Sequence, residues 1–133
     1  MAKRDITKER IVYKPFEYQE ASDYWLKQHQ AHWLHTEVPM MSDVTDWKRN
    51  LTESEKNIIG TILKGFAQTE TVVNDYWTNL VTSWFRKPEI IKMAVTFGAF
   101  ETIHAEAYSL LNEELGLDNF SEFLEDEATM AKI

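Results

Sequence analysis

Two long stretches of the chain carry apolar residues at alternating steps of three and four positions, and no proline interrupts either stretch. The first begins at a capping box formed by Thr52 and Glu55 and continues to about residue 87. The second begins at Pro88 and ends at Gly116, a residue typical of helix C-termini. This spacing places the apolar residues on one face of a helix. The chain is therefore predicted to be all-α, with two long antiparallel core helices in a bundle.

The composition supports a helical fold and excludes several other classes of protein. Glycine (4) and proline (3) are scarce in the 133 residues, which disfavours a turn-rich β-fold. Cysteine is absent, so disulfides and cysteine-based metal sites are excluded. The net charge is −8 and no basic stripe is visible, which argues against binding to nucleic acid. No apolar run approaches the ~20 residues that a membrane span needs, so we expect a cytoplasmic chain.

The shorter elements are predicted from their local pattern. Residues 1–15 mix charged and isolated apolar residues, and we expect them to form a flexible N-terminal arm. A first helix is predicted over residues 16–34 and a short helical turn over residues 45–50. A last helix, capped by Asp118 or Asn119, is expected near the end of the chain.

Four polar residues occupy core-facing positions in the two long helices. Glu70 lies in the stripe of the first helix, whereas Glu101 and His104 lie in the stripe of the second, with Tyr108 one turn later. Burying an unpaired carboxylate is costly, and two carboxylates that face one core repel each other. A divalent cation resolves both problems, and glutamate with histidine suits iron or manganese. The arrangement is that of half a ferritin-like di-metal site.

The same residues also have a purely structural explanation. A Glu-x-x-His pair arises by chance in many helical proteins, Glu101 can simply bond His104, and Tyr108 can be an ordinary core tyrosine. On that explanation the chain is a non-catalytic helical assembly module. The coincidence of a mid-stripe carboxylate on each of two adjacent long helices favours the metal site.

The segment Glu101-Thr102-Ile103-His104, followed four residues later by Tyr108, resembles a segment of the ribonucleotide reductase small subunit. That family, also called the radical-generating or β subunit, has the pattern E-T-I-H-x-x-x-Y there. The resemblance extends from about Tyr18 over nearly the whole chain. It implies that residues 16–133 are the N-terminal half of a ferritin-like di-metal helical domain.

The resemblance also implies roles for individual residues. Glu70, Glu101 and His104 would be metal ligands, with Glu101 bridging the two metals. Tyr108 would be oxidised to a stable radical, and Trp33 would relay the electron between the metal site and the large subunit. Many family members have aspartate where this chain has Glu70. Two iron ions are expected, with manganese–iron and di-manganese pairs as the alternatives.

The implied function is oxygen chemistry at a di-metal centre that generates a tyrosyl radical for deoxyribonucleotide synthesis. A complete site needs a second Glu-x-x-His, which this sequence lacks. We therefore expect a fragment or one piece of a split subunit. Its partners would be a complementing C-terminal half and the ribonucleotide reductase large subunit, in a homo- or hetero-oligomer. A ferritin-like di-metal oxidase or hydroxylase is the alternative enzyme, and it would not depend on Trp33.

Overall fold

The computed structural model describes residues 3–117, 119–125 and 131. Within these residues the structure is helical and contains no strand. The α-helices are α1 (Gln19–Gln30), α2 (Met41–Arg49), α3 (Glu53–Asp75), α4 (Thr82–Trp84) and α5 (Pro88–Glu114). A π-helical segment, Tyr76–Val81, joins α3 to α4. The described residues also contain two 3-10 helices, His35–Glu37 and Phe120–Glu125. The predicted all-α class is confirmed.

The chain divides into two compact units. Unit 1 consists of Met1–His32 and Val73–Glu101, and unit 2 consists of Trp33–Val72 and Thr102–Ile133. Each of the two long helical stretches therefore contributes one segment to unit 1 and one segment to unit 2. No helix in the described part of the chain combines the length and the apolar character needed to cross a membrane.

Unit 1 has a small apolar core between the second half of the first long stretch and the first half of α5. The Asn74 Nδ2 donates a hydrogen bond of 2.6 Å to the Gly98 carbonyl oxygen. Further along the first stretch, Val81 packs with Ile90, which lies earlier on α5. The two segments therefore run antiparallel, as predicted. The core is completed by two alanines and four partly buried larger residues, namely Ala21, Ala94, Tyr18, Trp77, Phe85 and Met93.

Unit 2 repeats this antiparallel pairing with the other halves of the same helices. The ring centroids of Phe66 and Tyr108 lie 5.2 Å apart. Gly60 is buried against Leu117 and Trp47, and a β-carbon at residue 60 would lie 3.2 Å from the Leu117 side chain. The absence of a side chain at residue 60 therefore allows α3 to approach the segment that follows α5.

The first helix is shorter than predicted at both ends, because α1 covers Gln19–Gln30 and not residues 16–34. At its start, the backbone N–H groups of Glu17 and Tyr18 donate to the Glu89 Oε1, at 3.0 Å and 3.2 Å. These contacts come from a residue about 70 positions later and hold residues 17 and 18 outside the helix. At the other end, Trp33 lies beyond the helix in an irregular segment.

Glu89 is fully buried at the centre of a charged network in unit 1. Both terminal nitrogens of Arg10 donate to its carboxylate, and the buried Lys87 donates from Nζ to Glu17 Oε2 at 3.0 Å. Burial raises the pKa of Glu89, but the hydrogen bonds from Arg10 and from the backbone of Glu17 and Tyr18 outweigh that effect and hold this pKa below its usual value. Arg10 thus ties the N-terminal arm to α5, whereas the mobility of the arm stays a prediction.

The start of α3 and the end of α5 follow their sequence signals. The Glu55 N–H donates to Thr52 Oγ1 at 3.3 Å and the Thr52 N–H donates to Glu55 Oε2 at 2.8 Å, which is the predicted capping box. Gly116 has a φ of +74°, a left-handed conformation that favours glycine and ends the helix.

Three other predicted element boundaries differ from the structure. The helical turn at residues 45–50 is a longer helix, Met41–Arg49. The first long stretch continues to Trp84 but widens into the π-helical segment, where Thr78 donates to the Asn74 carbonyl oxygen at 2.8 Å. The apolar spacing of the sequence carries no signal for this widening. The last element is a 3-10 helix, and Asp118 lies outside the described residues.

Candidate metal centre

Glu70, Glu101 and His104 come together, as the helical spacing predicts. Glu70 lies near the end of α3, and its Oε2 is 3.8 Å from the His104 Nδ1. Glu101 lies one turn before His104 on the same helix, α5. Each of the three residues offers one ligand atom, and these atoms all lie within 4.8 Å of one another. All three side chains are partly buried.

The donor set fits a transition-metal ion. A metal–oxygen or metal–nitrogen bond of about 2.1 Å requires donor atoms within about 4.2 Å of each other. The observed spread of 4.8 Å therefore needs only small side-chain shifts to close around one ion. Two carboxylates and one imidazole without thiolate suit iron or manganese. Among the described residues this is the single group of three or more potential ligands with such spacing.

Trp33 lies directly against this group, although it is not on a helix. Its ring stacks on the His104 ring with centroids 6.0 Å apart and an interplanar angle of 24°. The turn that follows Trp33 is held by Glu37, whose Oε2 accepts a hydrogen bond of 2.6 Å from the Leu34 N–H. Trp33 is therefore in direct contact with a candidate metal ligand.

Tyr108 lies one turn beyond His104 and faces an apolar cavity of unit 2. The Phe66 ring contacts the Tyr108 ring at a centroid distance of 5.2 Å. The Asn112 Nδ2 donates to the Tyr108 carbonyl oxygen at 2.7 Å and fastens this turn of α5. The cavity has a volume of about 340 Å³ and is lined by Trp33, Val38, Met40, His104, Ala107, Tyr108 and Leu111. The side chains of Tyr108, Trp33 and His104 thus line the same cavity.

Some residues around Tyr108 carried little signal in the sequence. Phe66 and Leu111 belong to the apolar stripes, so helical spacing already placed them on the core-facing side. Val38 and Met40 lie in the irregular connection after Trp33, where no periodicity exists. Their only clue in the sequence is their proximity to Trp33.

Comparisons with known proteins agree with this arrangement. The profile of the family "Ribonucleotide reductase, small chain" matches residues 10–133. A probable ribonucleoside-diphosphate reductase small subunit of Invertebrate iridescent virus 6 is 38% identical over 90% of this chain and 34% of its own length. The ribonucleoside-diphosphate reductase small subunit of Dictyostelium discoideum is 33% identical, over 80% of this chain and 31% of its own.

The small chain 1 of the same enzyme from Saccharomyces cerevisiae is 31% identical, over 78% of this chain and 26% of its own length. The chain thus spans about a quarter to a third of the length of these curated relatives. The family is one of di-metal carboxylate proteins, which agrees with a glutamate–histidine group that can hold a metal. The match covers nearly the whole chain, and we conclude that this protein belongs to the ribonucleotide reductase small-chain family.

Proposed function

We propose that this chain is the part of a ribonucleoside-diphosphate reductase small subunit that carries the radical-forming tyrosine and about half of the metal ligands. The observation that carries the proposal is the group of Glu70, Glu101 and His104 within 4.8 Å, with Tyr108 one turn beyond His104. In this proposal the tyrosyl radical serves the reduction of ribonucleotides to deoxyribonucleotides.

Each residue has a defined task in this proposal. Glu70, Glu101 and His104 would hold the metal ions, since each offers a ligand atom to the same point. The bound metal pair supplies a one-electron oxidant through its chemistry with oxygen. Tyr108 would give one electron and its phenolic proton to this oxidant and would become a neutral radical. The mainly apolar cavity of 340 Å³ limits the groups that could quench this radical.

Trp33 is proposed to carry the electron between the metal site and the large subunit. Its stacked contact with His104 supports this role, because electron transfer weakens steeply with distance and the rings are only 6.0 Å apart. The contact does not require Trp33 to bind a metal or a substrate. Trp33 is thus a catalytic residue for radical transfer and not a ligand.

We propose two iron ions as the cofactor, and the same donors also suit manganese–iron and di-manganese pairs. The three protein donors cannot complete two metal coordination spheres, so further ligands must come from another segment. We propose that a complementing C-terminal half supplies them and that the large subunit binds the completed small subunit in an oligomer. The exposed Ile62 and Phe66, at 48% and 47%, suit burial by such a partner.

A metal titration of the 133-residue chain tests the ligand assignment. Replacing Glu101 or His104 by alanine should weaken binding of iron(II) or manganese(II) at least about tenfold. Glu106→Ala is the matched control, because Glu106 is exposed on the same helix. If Glu101→Ala and His104→Ala bind as well as the parent chain, the metal site is wrong.

Electron paramagnetic resonance tests the radical assignment. The chain with iron and oxygen should give a tyrosyl signal only after a C-terminal half is supplied, and Tyr108→Phe should abolish that signal. A strong tyrosyl signal from the 133-residue chain alone would contradict the shared site. A signal that survives Tyr108→Phe would contradict the choice of tyrosine.

A ferritin-like di-metal oxidase or hydroxylase is the second candidate, because the cavity beside Tyr108 can accommodate a small substrate. Trp33→Phe separates the two functions. It should block ribonucleotide reduction by the assembled enzyme while metal binding persists, whereas a hydroxylase would keep its activity.

A further inference from the structure

Lys92 on α5 is enclosed by aromatic rings in unit 1. Its Nζ lies 4.4 Å from the centroid of the Trp25 ring, 4.6 Å from that of Phe16 and 5.9 Å from that of Tyr13. The same ammonium donates a hydrogen bond of 2.8 Å to Ser22 Oγ. Lys92 is partly buried, so water screens its charge less than it would at the surface. The position of this cation is therefore defined by four neighbours.

A cation over an indole face changes how easily that indole loses an electron. The ring's negative face attracts the ammonium, and this attraction is lost when the ring becomes a radical cation. The resulting like-charge repulsion makes oxidation of Trp25 unfavourable. The ring of Trp33, in contrast, stacks on the His104 imidazole. The two tryptophans therefore differ in electrostatic environment.

A series of ring contacts also links Trp25 to Phe100, the residue before Glu101. Its ring lies 4.9 Å from the His29 ring, and the His29 ring lies 6.5 Å from that of Phe100. Phe100 is buried and directly precedes Glu101 in the sequence. Neutral histidine and phenylalanine are harder to oxidise than tryptophan. Trp25 would thus be the first readily oxidised ring along this series.

We propose that Lys92 determines which tryptophan is oxidised, because its charge protects Trp25 and leaves Trp33 as the easier electron donor. The physiological meaning rests on the proposed radical function, whereas the protection itself is a property of the protein alone. In the step that Lys92 disfavours, one electron leaves the Trp25 indole for a one-electron oxidant. The indole N–H proton passes to water, and the neutral radical then combines with dioxygen.

The test uses the full chain without metal and an external oxidant. Photogenerated ruthenium(III) tris-bipyridine accepts the electron and returns to ruthenium(II), with persulfate as the terminal electron acceptor. Peptide mass spectrometry measures oxygenated Trp25 and Trp33 in the same sample. Replacement of Lys92 by methionine should raise the Trp25-to-Trp33 product ratio about fivefold. An unchanged ratio in the folded Lys92→Met chain would overturn the proposal.

Two further variants isolate the charge as the cause. Lys92→Arg keeps the cation and should keep the parent ratio, and a rise equal to that of Lys92→Met would show that altered packing, not charge, is responsible. Lys27→Met is the matched control on α1, because the Lys27 Nζ lies over the Tyr24 ring at 5.5 Å and should not affect Trp25.

If circular dichroism shows that Lys92→Met has lost helix content, Ser22→Ala is the variant that tests the proposal. It removes the hydrogen bond that fixes the ammonium while the charge and rings remain, so the ratio should rise about twofold. No rise in folded Ser22→Ala would then count against the proposal. Failure of metal binding would disprove the proposed function and leave the protection of Trp25 intact, so the two failures are distinguishable.

Discussion

Both long helices carry buried or partly buried glutamates, but the surroundings of these carboxylates differ between two regions of the molecule. In unit 1, the fully buried Glu89 accepts hydrogen bonds from the guanidinium of Arg10 and from the backbone N–H groups of residues 17 and 18. At the candidate metal centre, Glu70, Glu101 and His104 each offer one ligand atom, and these three atoms lie within 4.8 Å of one another.

This difference shows that burial of a glutamate does not by itself indicate a metal site. Glu89 is more buried than Glu70, whose side chain is 17% exposed, yet the Glu89 donors are fixed groups of the protein. The network around Glu89 provides structural stability, whereas the cluster at Glu70 offers several ligand atoms to one point. We therefore expect substitution of Glu89 to lower the stability of the metal-free chain, and substitution of Glu101 to reduce the stability that metal binding adds.

The largest expected effect is on the stability of unit 1. Glu89→Gln removes the charge that Arg10 binds and should lower the free energy of unfolding by about 3 kcal/mol, because it breaks a buried ion pair. Urea denaturation measures the change. Glu53→Gln is the control: its ion pair with Lys56 is at the surface, with the Glu53 side chain 91% exposed, and should change stability by about 0.3 kcal/mol. Equal effects of the two variants would refute the structural role of Glu89.

The next effect concerns metal-dependent stability. Iron(II) or manganese(II) at about 100 times its Kd should raise the free energy of unfolding by about 2.7 kcal/mol. Glu101→Gln should lose at least about half of this increment, whereas Glu89→Gln and the exposed control Glu106→Gln should keep it. Thermal denaturation with and without metal measures the increment for the parent chain and for each of the three variants. If Glu89→Gln also loses the increment while remaining folded, the two carboxylate regions are not independent.

The third effect is the pH dependence of the Glu89 network. The folded pKa of Glu89 lies below its usual 4.5, so this group's contribution is complete above about pH 4.5 and is lost as the pH falls through the folded pKa. One proton gives a slope of at most about 1.4 kcal/mol per pH unit.

The comparison of parent and Glu89→Gln chains isolates this slope. The pKa of Asp5 is also lowered, by the Thr7 hydroxyl and amide, and that of Glu55 is lowered by the Thr52 amide and hydroxyl. Both groups titrate in the same window but are present in both chains. Denaturation between pH 3 and pH 6 should therefore show a steeper acid loss in the parent, and parallel curves would contradict the assignment to Glu89.

Local signals in the sequence were enough to predict the start of α3, both ends of α5 and the grouping of Glu70, Glu101 and His104. The box of Thr52 and Glu55, Pro88 and Gly116 act within a few residues, so their effect does not depend on the rest of the fold. The spacing of Glu101 and His104 is likewise a property of one helix. Glu70 joins them because the two long helices pair in an antiparallel manner, which the short connection between them favours.

Contacts between residues far apart in sequence were not predictable in this way. The start of α1 depends on Glu89, which lies about 70 residues later and accepts hydrogen bonds from the N–H groups of residues 17 and 18, directly before the helix. The stacking of Trp33 on His104 depends on an irregular segment without periodicity. The environment of Lys92 has no local signal in the sequence, because the rings around it belong to residues far away along the chain, Tyr13, Phe16 and Trp25.

The smallest predicted effect tests whether the two regions can be perturbed separately. Gly116→Ala should cost about 1 kcal/mol, because alanine is strained at a φ of +74° even though its β-carbon would meet nothing within 4 Å. Amide hydrogen exchange should quicken mainly in the unit 2 segment of α5, around Tyr108, whereas Glu89→Gln should quicken exchange mainly near the start of the same helix. If both substitutions accelerate exchange of the same amides equally, α5 opens as a single unit. The Glu89 network and the candidate metal centre would then differ in chemistry but not in local stability.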